Sequence, residues 1–161
     1  VRLSTRTRYG VRLLFDLARH AGQGPVQIGD IAERQGISVK YLEQIVRPLK
    51  KAKLVNSFRG ARGGHLLARP AEEISLGQIV RLLESGLSLA DCVDRPSECR
   101  LSGDCLFRLA WAEAAAALFA KLDSITLAQL LIRENEACEL AGGQPAGRSG
   151  PKGRRSRRDR E

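Results

Sequence analysis

At 161 residues, with a formal net charge of +9 and 4 cysteines, the chain is long enough for one compact core and an extension rather than for several domains. No run approaches the roughly 18 consecutive apolar residues of a membrane span, and the amino terminus lacks the apolar stretch of a secretory signal, so a cytoplasmic protein without a membrane partner is expected. In that reducing compartment the cysteines are expected to act as ligands or redox thiols rather than as disulfides.

Charge is spread unevenly. Residues 1–69 carry 14 Lys and Arg against 4 Asp and Glu, residues 70–141 carry 6 against 12, and residues 142–161 carry 7 against 2. A basic block beside an acidic one suits a chain whose first part faces a polyanion and whose middle contacts protein.

From Thr5 to His20, Tyr9, Leu13, Leu14, Leu17 and Ala18 recur at helical spacing, with Arg6, Arg8, Arg12, Asp16 and Arg19 on the other faces, which predicts an amphipathic helix. Gly22, Gly24 and Pro25 break it. A second helix is predicted from about Gln27 to Gln35, burying Ile28, Ile31 and Ala32, before a turn at Gly36 and Ile37. Ser38 then caps a third helix by accepting from its free amides. That helix buries Tyr41, Leu42, Ile45 and Leu49 and presents Val39, Lys40, Glu43, Gln44 and Arg47. Pro48 removes a backbone donor, so a kink or an end near Arg47 is predicted.

Two helices joined by a glycine turn, the second one capped, form a helix-turn-helix pattern. Leu54–Arg59 and His65–Ala68 follow as two short strands around Gly60, Ala61, Arg62, Gly63 and Gly64, a β-hairpin wing. Arg59 and Arg62 are candidates to neutralise phosphates or to enter a narrow minor groove, and the glycines permit close approach to a sugar-phosphate backbone. A fourth helix is predicted from about Ser75 to Glu84, and a longer one from Leu106 to Lys121. The longer helix carries Phe107, Ala110, Trp111, Ala114, Ala117 and Leu118 on one side. A winged helix already has a core, so this extra apolar stripe predicts a dimerisation helix. A short helix from Thr126 to about Glu134 closes the folded part.

Three cysteines, Cys92, Cys99 and Cys105, are separated by six and five intervening residues in a segment rich in Asp, Ser, Gly and Pro that cannot form a core of its own. Thiolates are soft donors that suit iron-sulfur clusters, zinc or cuprous ions. Zinc sites favour pairs at two- to four-residue spacing, which is missing here. Cys138 is read as incidental, and His20 and His65 as surface or wing residues. The sequence offers no nucleophile with an adjacent base, no phosphate-cradling glycine loop and no paired acids arranged for catalysis, so an enzyme is not expected.

The expected fold is mainly α, a winged helix-turn-helix with a small hairpin wing and a long dimerisation helix. Residues 1–70 form the DNA-binding domain, 71–141 the cysteine loop and dimerisation helices, and 142–161 a basic disordered tail that attracts polyanions.

The chain resembles the IscR-like branch of a family of bacterial winged-helix transcription factors. The resemblance is carried by Arg2-Leu3-Ser4 with Arg8-Tyr9, by the run Ile31 to Ser38, by Tyr41-Leu42-Glu43-Gln44, by Leu54-Val55, by Arg59-Gly60 to Gly63-Gly64, and by three cysteines ahead of Trp111. It implies a homodimer crossed through the long helix, bound to a palindromic promoter site in double-stranded DNA and controlled by an iron-sulfur cluster on Cys92, Cys99 and Cys105. Carried over by position, Ser38, Lys40, Tyr41, Glu43 and Gln44 face bases and backbone, and Arg59 the minor groove. Gln44 can pair bidentately with adenine and Glu43 can accept from cytosine.

Cluster regulators of this kind place a histidine three residues after the last cysteine. Arg108 stands there instead. A branch that senses nitric oxide uses an acidic residue near the amino terminus, where this chain has Arg8. Asp91, Asp94, Glu98, Asp104 or a small exogenous ligand could fill the place, which leaves 2Fe-2S and 4Fe-4S both open. Two other readings remain: a cluster-free winged-helix repressor using a thiol switch or a partner protein, and an iron-sulfur carrier.

Overall fold

A computed structural model describes residues 2–84, 89–99 and 105–141. The proposed tail at 142–161 and the candidate ligand Asp104 lie outside the described residues.

Helix α1 (Thr5–Arg19) starts where the Ser4 hydroxyl accepts from the Thr7 amide, and it buries a face that includes Leu13, Leu14 and Leu17. Helix α2 (Ile28–Gln35) ends at Gly36, whose φ of +63° is left-handed and therefore suits a residue without a Cβ. The Ile37 amide returns to the Ala32 carbonyl at 3.0 Å and closes the turn. Helix α3 (Val39–Lys51) begins at the predicted cap, with the Ser38 hydroxyl accepting from the Tyr41 amide at 3.3 Å. The end predicted near Arg47 does not occur, because the helix runs four residues further with Pro48 inside it. One lost donor is tolerated there because Leu49 is completely buried and anchors the last turn.

Strands β1 (Val55–Phe58) and β2 (Gly64–Leu67) pair antiparallel with Val55 opposite Leu67 and Phe58 opposite Gly64. One further bridge, which patterning did not predict, ties the two-stranded sheet to the segment before α2. Val26 bridges to His65, with amides and carbonyls exchanged at 2.9 and 2.8 Å. A Cβ on Gly64 would stand 2.5 Å from the Val26 carbonyl oxygen, and one on Gly63 would stand 2.4 Å from that of Phe58. These two glycines are thus required by the protein's own backbone, before any approach to DNA.

Helix α4 (Leu76–Leu83) follows with Ser75 as its cap, and the single turn α5 (Asp91–Asp94) lies in the cysteine segment. Helix α6 (Leu106–Asp123) is long, and α7 (Leu127–Leu140) runs six residues past the predicted end near Glu134. A reciprocal capping box between Thr126 and Gln129 starts α7. Its Leu127 is fully buried in the same cluster as Leu13, Ile31, Leu42, Ile45, Leu49, Ile74 and Ile79. One core therefore unites residues on both sides of position 70. Among the described residues no helix is long and apolar enough to cross a membrane.

Sequence patterning placed Asp16 on the polar face of α1, yet its carboxylate is wholly buried. Arg34 of α2 donates two bonds to it, at 3.0 and 2.7 Å, and the Gln35 amide donates a third at 3.3 Å. His20 Nδ1 lies 2.8 Å from the Asp16 carbonyl oxygen. The pairing raises the Arg34 pKa through the hydrogen bond to Asp16, against the opposing effect of burial.

At the other end of α1, the Glu84 carboxylate accepts from the Ser4 amide at 2.6 Å. Burial disfavours its charge, but hydrogen bonds from the Ser4 amide, the Thr7 hydroxyl and the Ser4 hydroxyl outweigh that effect and hold its pKa below the ordinary 4.5.

Two outcomes follow for stability. Arg34→Ala leaves a buried carboxylate without its cation and should cost about 3 to 5 kcal/mol in denaturant unfolding, whereas Asp16→Asn, which removes the charge itself, should cost less. Glu84→Gln should cost about 1 kcal/mol at neutral pH. Because the folded carboxylate has the depressed pKa, that difference is complete above pH 4.5 and shrinks as the pH falls further. A pH-independent difference would mean that the charge of Glu84 is not what α1 uses.

Candidate nucleic-acid interface and cysteine segment

Burial of Leu42, Ile45, Val46 and Leu49 fixes how α3 is rotated. The opposite face is therefore solvent-exposed and carries Ser38, Lys40, Glu43, Gln44, Arg47, Lys50 and Lys51. Glu43 and Gln44 sit in the middle of this stripe with cations on either side. Tyr41 is only partly exposed, because its ring meets that of Tyr9 edge-on with centroids 6.0 Å apart. The structure thus brings seven of these polar side chains to one surface and leaves Tyr41 bridging it to α1.

Arg59 and Arg62 are both exposed at the hairpin tip, beyond the paired residues. His65, which the sequence left as a wing residue, links strand to strand through Nδ1, 2.9 Å from the Ser57 hydroxyl. Burial lowers its pKa, the Lys50 ammonium lowers it further, and Glu43 partly offsets both. A pKa below 6.5 leaves the imidazole mostly neutral near pH 7, so the positive charge of the wing comes from its arginines.

The three clustered cysteines sit on three different pieces of backbone. Cys92 lies in α5, Cys99 ends the short turn Pro96–Glu98, and Cys105 is the residue at which α6 begins. All three are free and partly exposed, as is Cys138 in α7. None is packed as an apolar core residue. Among the described residues no group of three His, Cys, Asp or Glu is gathered closely enough to hold a metal ion.

Helix α6 differs from every other long helix in burying no residue among the described part of the chain. Leu106 and Phe107 are 78% and 76% exposed, and Leu109 and Trp111 about half exposed. Beside its far end lies a groove of about 430 Å³ lined in part by Leu3, Tyr9, Val11, Leu76, Val80 and Leu122.

Residues 3–133 match the Rrf2 family, described as iron-dependent transcriptional regulators. The chain belongs to the Rrf2 family. It is 46% identical over 138 residues to Protein rrf2 of Nitratidesulfovibrio vulgaris, covering 86% of this chain and 91% of that protein. It is 37% identical over 134 residues to the HTH-type transcriptional regulator IscR of Sodalis glossinidius, covering 83% and 81% respectively. Among solved structures, T. potens IscR superposes with a TM-score of 0.70 at 42% identity, over 85% of this chain and 90% of that one. CymR, the global cysteine regulator of B. subtilis, superposes equally well at 36% identity, over 81% and 95%. The Rrf2 chain described here is accordingly a winged-helix transcriptional regulator, and its relatives are regulators rather than enzymes.

Sequence reasoning missed Asp16, because a lone acid on a polar helix face carries no signal of burial. The Arg34-Gln35 pair at the end of α2 was the available clue, since two adjacent donors before a glycine turn need an acceptor.

Replacing Ser38 by Ala should cost about 1 kcal/mol of stability by removing the cap, measurable by thermal unfolding. Gln44→Ala should lower discrimination between duplexes, while Lys51→Ala should weaken all duplexes alike and flatten the salt dependence of binding. The reverse pattern in a binding titration would show that α3 is placed wrongly on the groove.

Proposed function

We propose that this Rrf2-family regulator is a homodimer that reads a palindromic site in double-stranded DNA and uses Cys92, Cys99 and Cys105 to hold an iron-sulfur cluster that controls binding. The observation that carries the DNA reading is the stripe from Ser38 to Lys51, exposed on a helix whose other face is fully buried and flanked by a hairpin tip with two free-standing cationic side chains. A helix with that exposure fits the major groove, where Gln44 can pair with adenine and Glu43 can accept from cytosine. Lys40, Arg47, Lys50 and Lys51 are placed for phosphates, and Arg59 and Arg62 for the adjacent minor groove or backbone.

The dimer reading rests on α6. A helix that leaves Leu106, Phe107 and Trp111 in water is unstable as a free surface feature, and a second copy of the same helix covers it.

The donor chemistry fits an iron-sulfur cluster: three free thiols, none in the core, on segments that flank one loop. When bound, such a cluster supplies a redox-sensitive and labile link between these segments. The chain's own part is positional. Cys105 begins α6, and Cys92 lies in α5, which packs against α6. Drawing these cysteines together would hold α5 and Cys99 against the first turn of α6. With Arg108 at the place where relatives of this type are expected to have histidine, the fourth ligand comes from an acid such as Asp91, Asp94 or Glu98, or from outside the chain. A cluster-free regulator using the same cysteines as a thiol switch is the second reading, favoured by the absence of a gathered donor trio among the described residues.

Anaerobic purification followed by iron and sulfide analysis and genomic-fragment selection tests both parts. The expected result is bound iron that is lost in Cys92→Ala, Cys99→Ala and Cys105→Ala but kept in Cys138→Ala, with operator affinity changing by about 5- to 150-fold on cluster loss. Selective DNA binding without iron would establish the thiol-switch reading, and equal affinity for every duplex would remove the DNA reading altogether.

A further inference from the structure

Helix α6 buries none of its own residues, yet its last turn is held to α4 by an unusually directional joint. Arg81 of α4 donates to both oxygens of Asp123, at 2.7 and 2.6 Å, and its guanidinium lies 4.5 Å from the centroid of the Phe119 ring. The Ser75 hydroxyl reaches the same carboxylate at 3.5 Å. Gly77 makes the approach possible, since a Cβ there would stand 2.0 Å from Asp123 Oδ1 and 3.0 Å from the Asp123 amide nitrogen. Just beyond, the Leu76 amide donates to the Ile125 carbonyl at 2.8 Å and the Leu127 amide to that of Ile74 at 2.9 Å.

Arg81 and Asp123 are 49% and 42% exposed. An ion pair in that setting adds little to stability. What a bidentate guanidinium seated over an aromatic ring does fix is direction, because two bonds to one carboxylate and the ring beside them restrict rotation. On the inner side, α4 is held in the core through Ile79, Val80 and Leu83. The joint is therefore the point at which the direction of α6 is set relative to the helix-turn-helix.

We propose that the joint of Gly77, Arg81 and Asp123 determines which half-site spacing the dimer accepts. This rests on the proposed reading, in which α6 carries the second protomer. If α6 is the arm between two reading heads, its direction at Asp123 fixes the separation and relative rotation of the two α3 helices. Adding one base pair moves the second half-site by about 3.4 Å and turns it by about 35°, so a firm joint rejects wrong spacers and a loosened one tolerates them. Arg81 and Asp123 act as positioning residues, with no contact to DNA required.

The test uses the full chain and a duplex library with the two half-sites fixed in sequence and the spacer varied one base pair at a time. Wild type should select one spacer. Asp123→Asn and Arg81→Lys should each reduce the preference for that spacer over its neighbours by about three- to tenfold, while base preference within each half-site and the melting temperature stay close to wild type. The reversed pair R81D/D123R, which can remake the ion pair, should restore part of the selectivity. If Asp123→Asn proves too unstable to assay, Arg81→Lys alone decides the matter. Unchanged spacer selection in the variants, with wild type selective, overturns the joint's role but leaves the DNA reading standing. Absence of any sequence or spacer preference in wild type overturns both.

Discussion

A carboxylate taken out of water without a cation loses several kilocalories of solvation, and Asp16 is taken out completely. The helix-turn-helix is built so that this cannot happen. Arg34 and Gln35, the last two residues of α2, reach back to Asp16 near the end of α1, which fixes the end of α2 just before the left-handed Gly36. The direction in which α3 leaves the turn follows from that, with the Ser38 cap starting the helix and Leu42, Ile45 and Leu49 setting its rotation. Every exposed residue of α3 owes its position to this sequence of constraints. Guanidinium is suited to the task because it is charged at any accessible pH and its planar fork matches a carboxylate.

The same economy explains the charge distribution. An apolar core and one buried carboxylate, met by an arginine whose own side chain stays partly in water, already satisfy the inside of the head, so most of the 14 basic residues before position 70 are left for the surface. Six of them, Lys40, Arg47, Lys50 and Lys51 on α3 and Arg59 and Arg62 at the hairpin tip, form a field suited to a polyanion. Beyond position 70 acids outnumber bases, and two of those with structural partners reach back to α1: the Glu84 carboxylate accepts from the Ser4 amide, and Glu134 pairs with Arg19. The acidic half is thus partly a set of anchors for the basic half, and the two cannot be treated as independent modules with separate cores.

Much of the architecture was legible where local chemistry decides it. Serine caps at Ser38 and Ser75, the glycine turn at Gly36, the hairpin and the long helix after Cys105 were all predicted from residue type and spacing, because each is determined within a few neighbours. What escaped was decided at long range. Val26 joins the sheet only because the hairpin comes to it. Leu127 enters the core only because α7 folds back onto α1, and α7 runs to Leu140 beyond the point where its apolar pattern fades. Pro48 looked like a helix end, and the burial of Leu49 overrode it. Within the candidate site, the exposed polar stripe of α3 and the inward side of Tyr41 followed from periodicity, but the contact of Tyr41 with Tyr9, which leaves its burial only partial, did not, since it depends on the crossing of α1 and α3.

The two ends of α6 connect these observations. Its first turn begins at Cys105, whose carbonyl accepts from the Arg108 amide at 3.1 Å, and its last turn is gripped through Asp123. A stiff helix held at one end transmits a displacement applied at the other as a change in angle, and 18 residues give it a length of about 27 Å. In the proposed reading the cysteine segment acts on the free end while the arginine joint sets the fixed one. A sensor placed at the end of α6 remote from the joint has the greatest leverage, and one placed beside Asp123 would have almost none. In that reading the three thiols ahead of Leu106, one of them starting the helix itself, stand where a small rearrangement has the largest effect on how two reading heads would face the duplex.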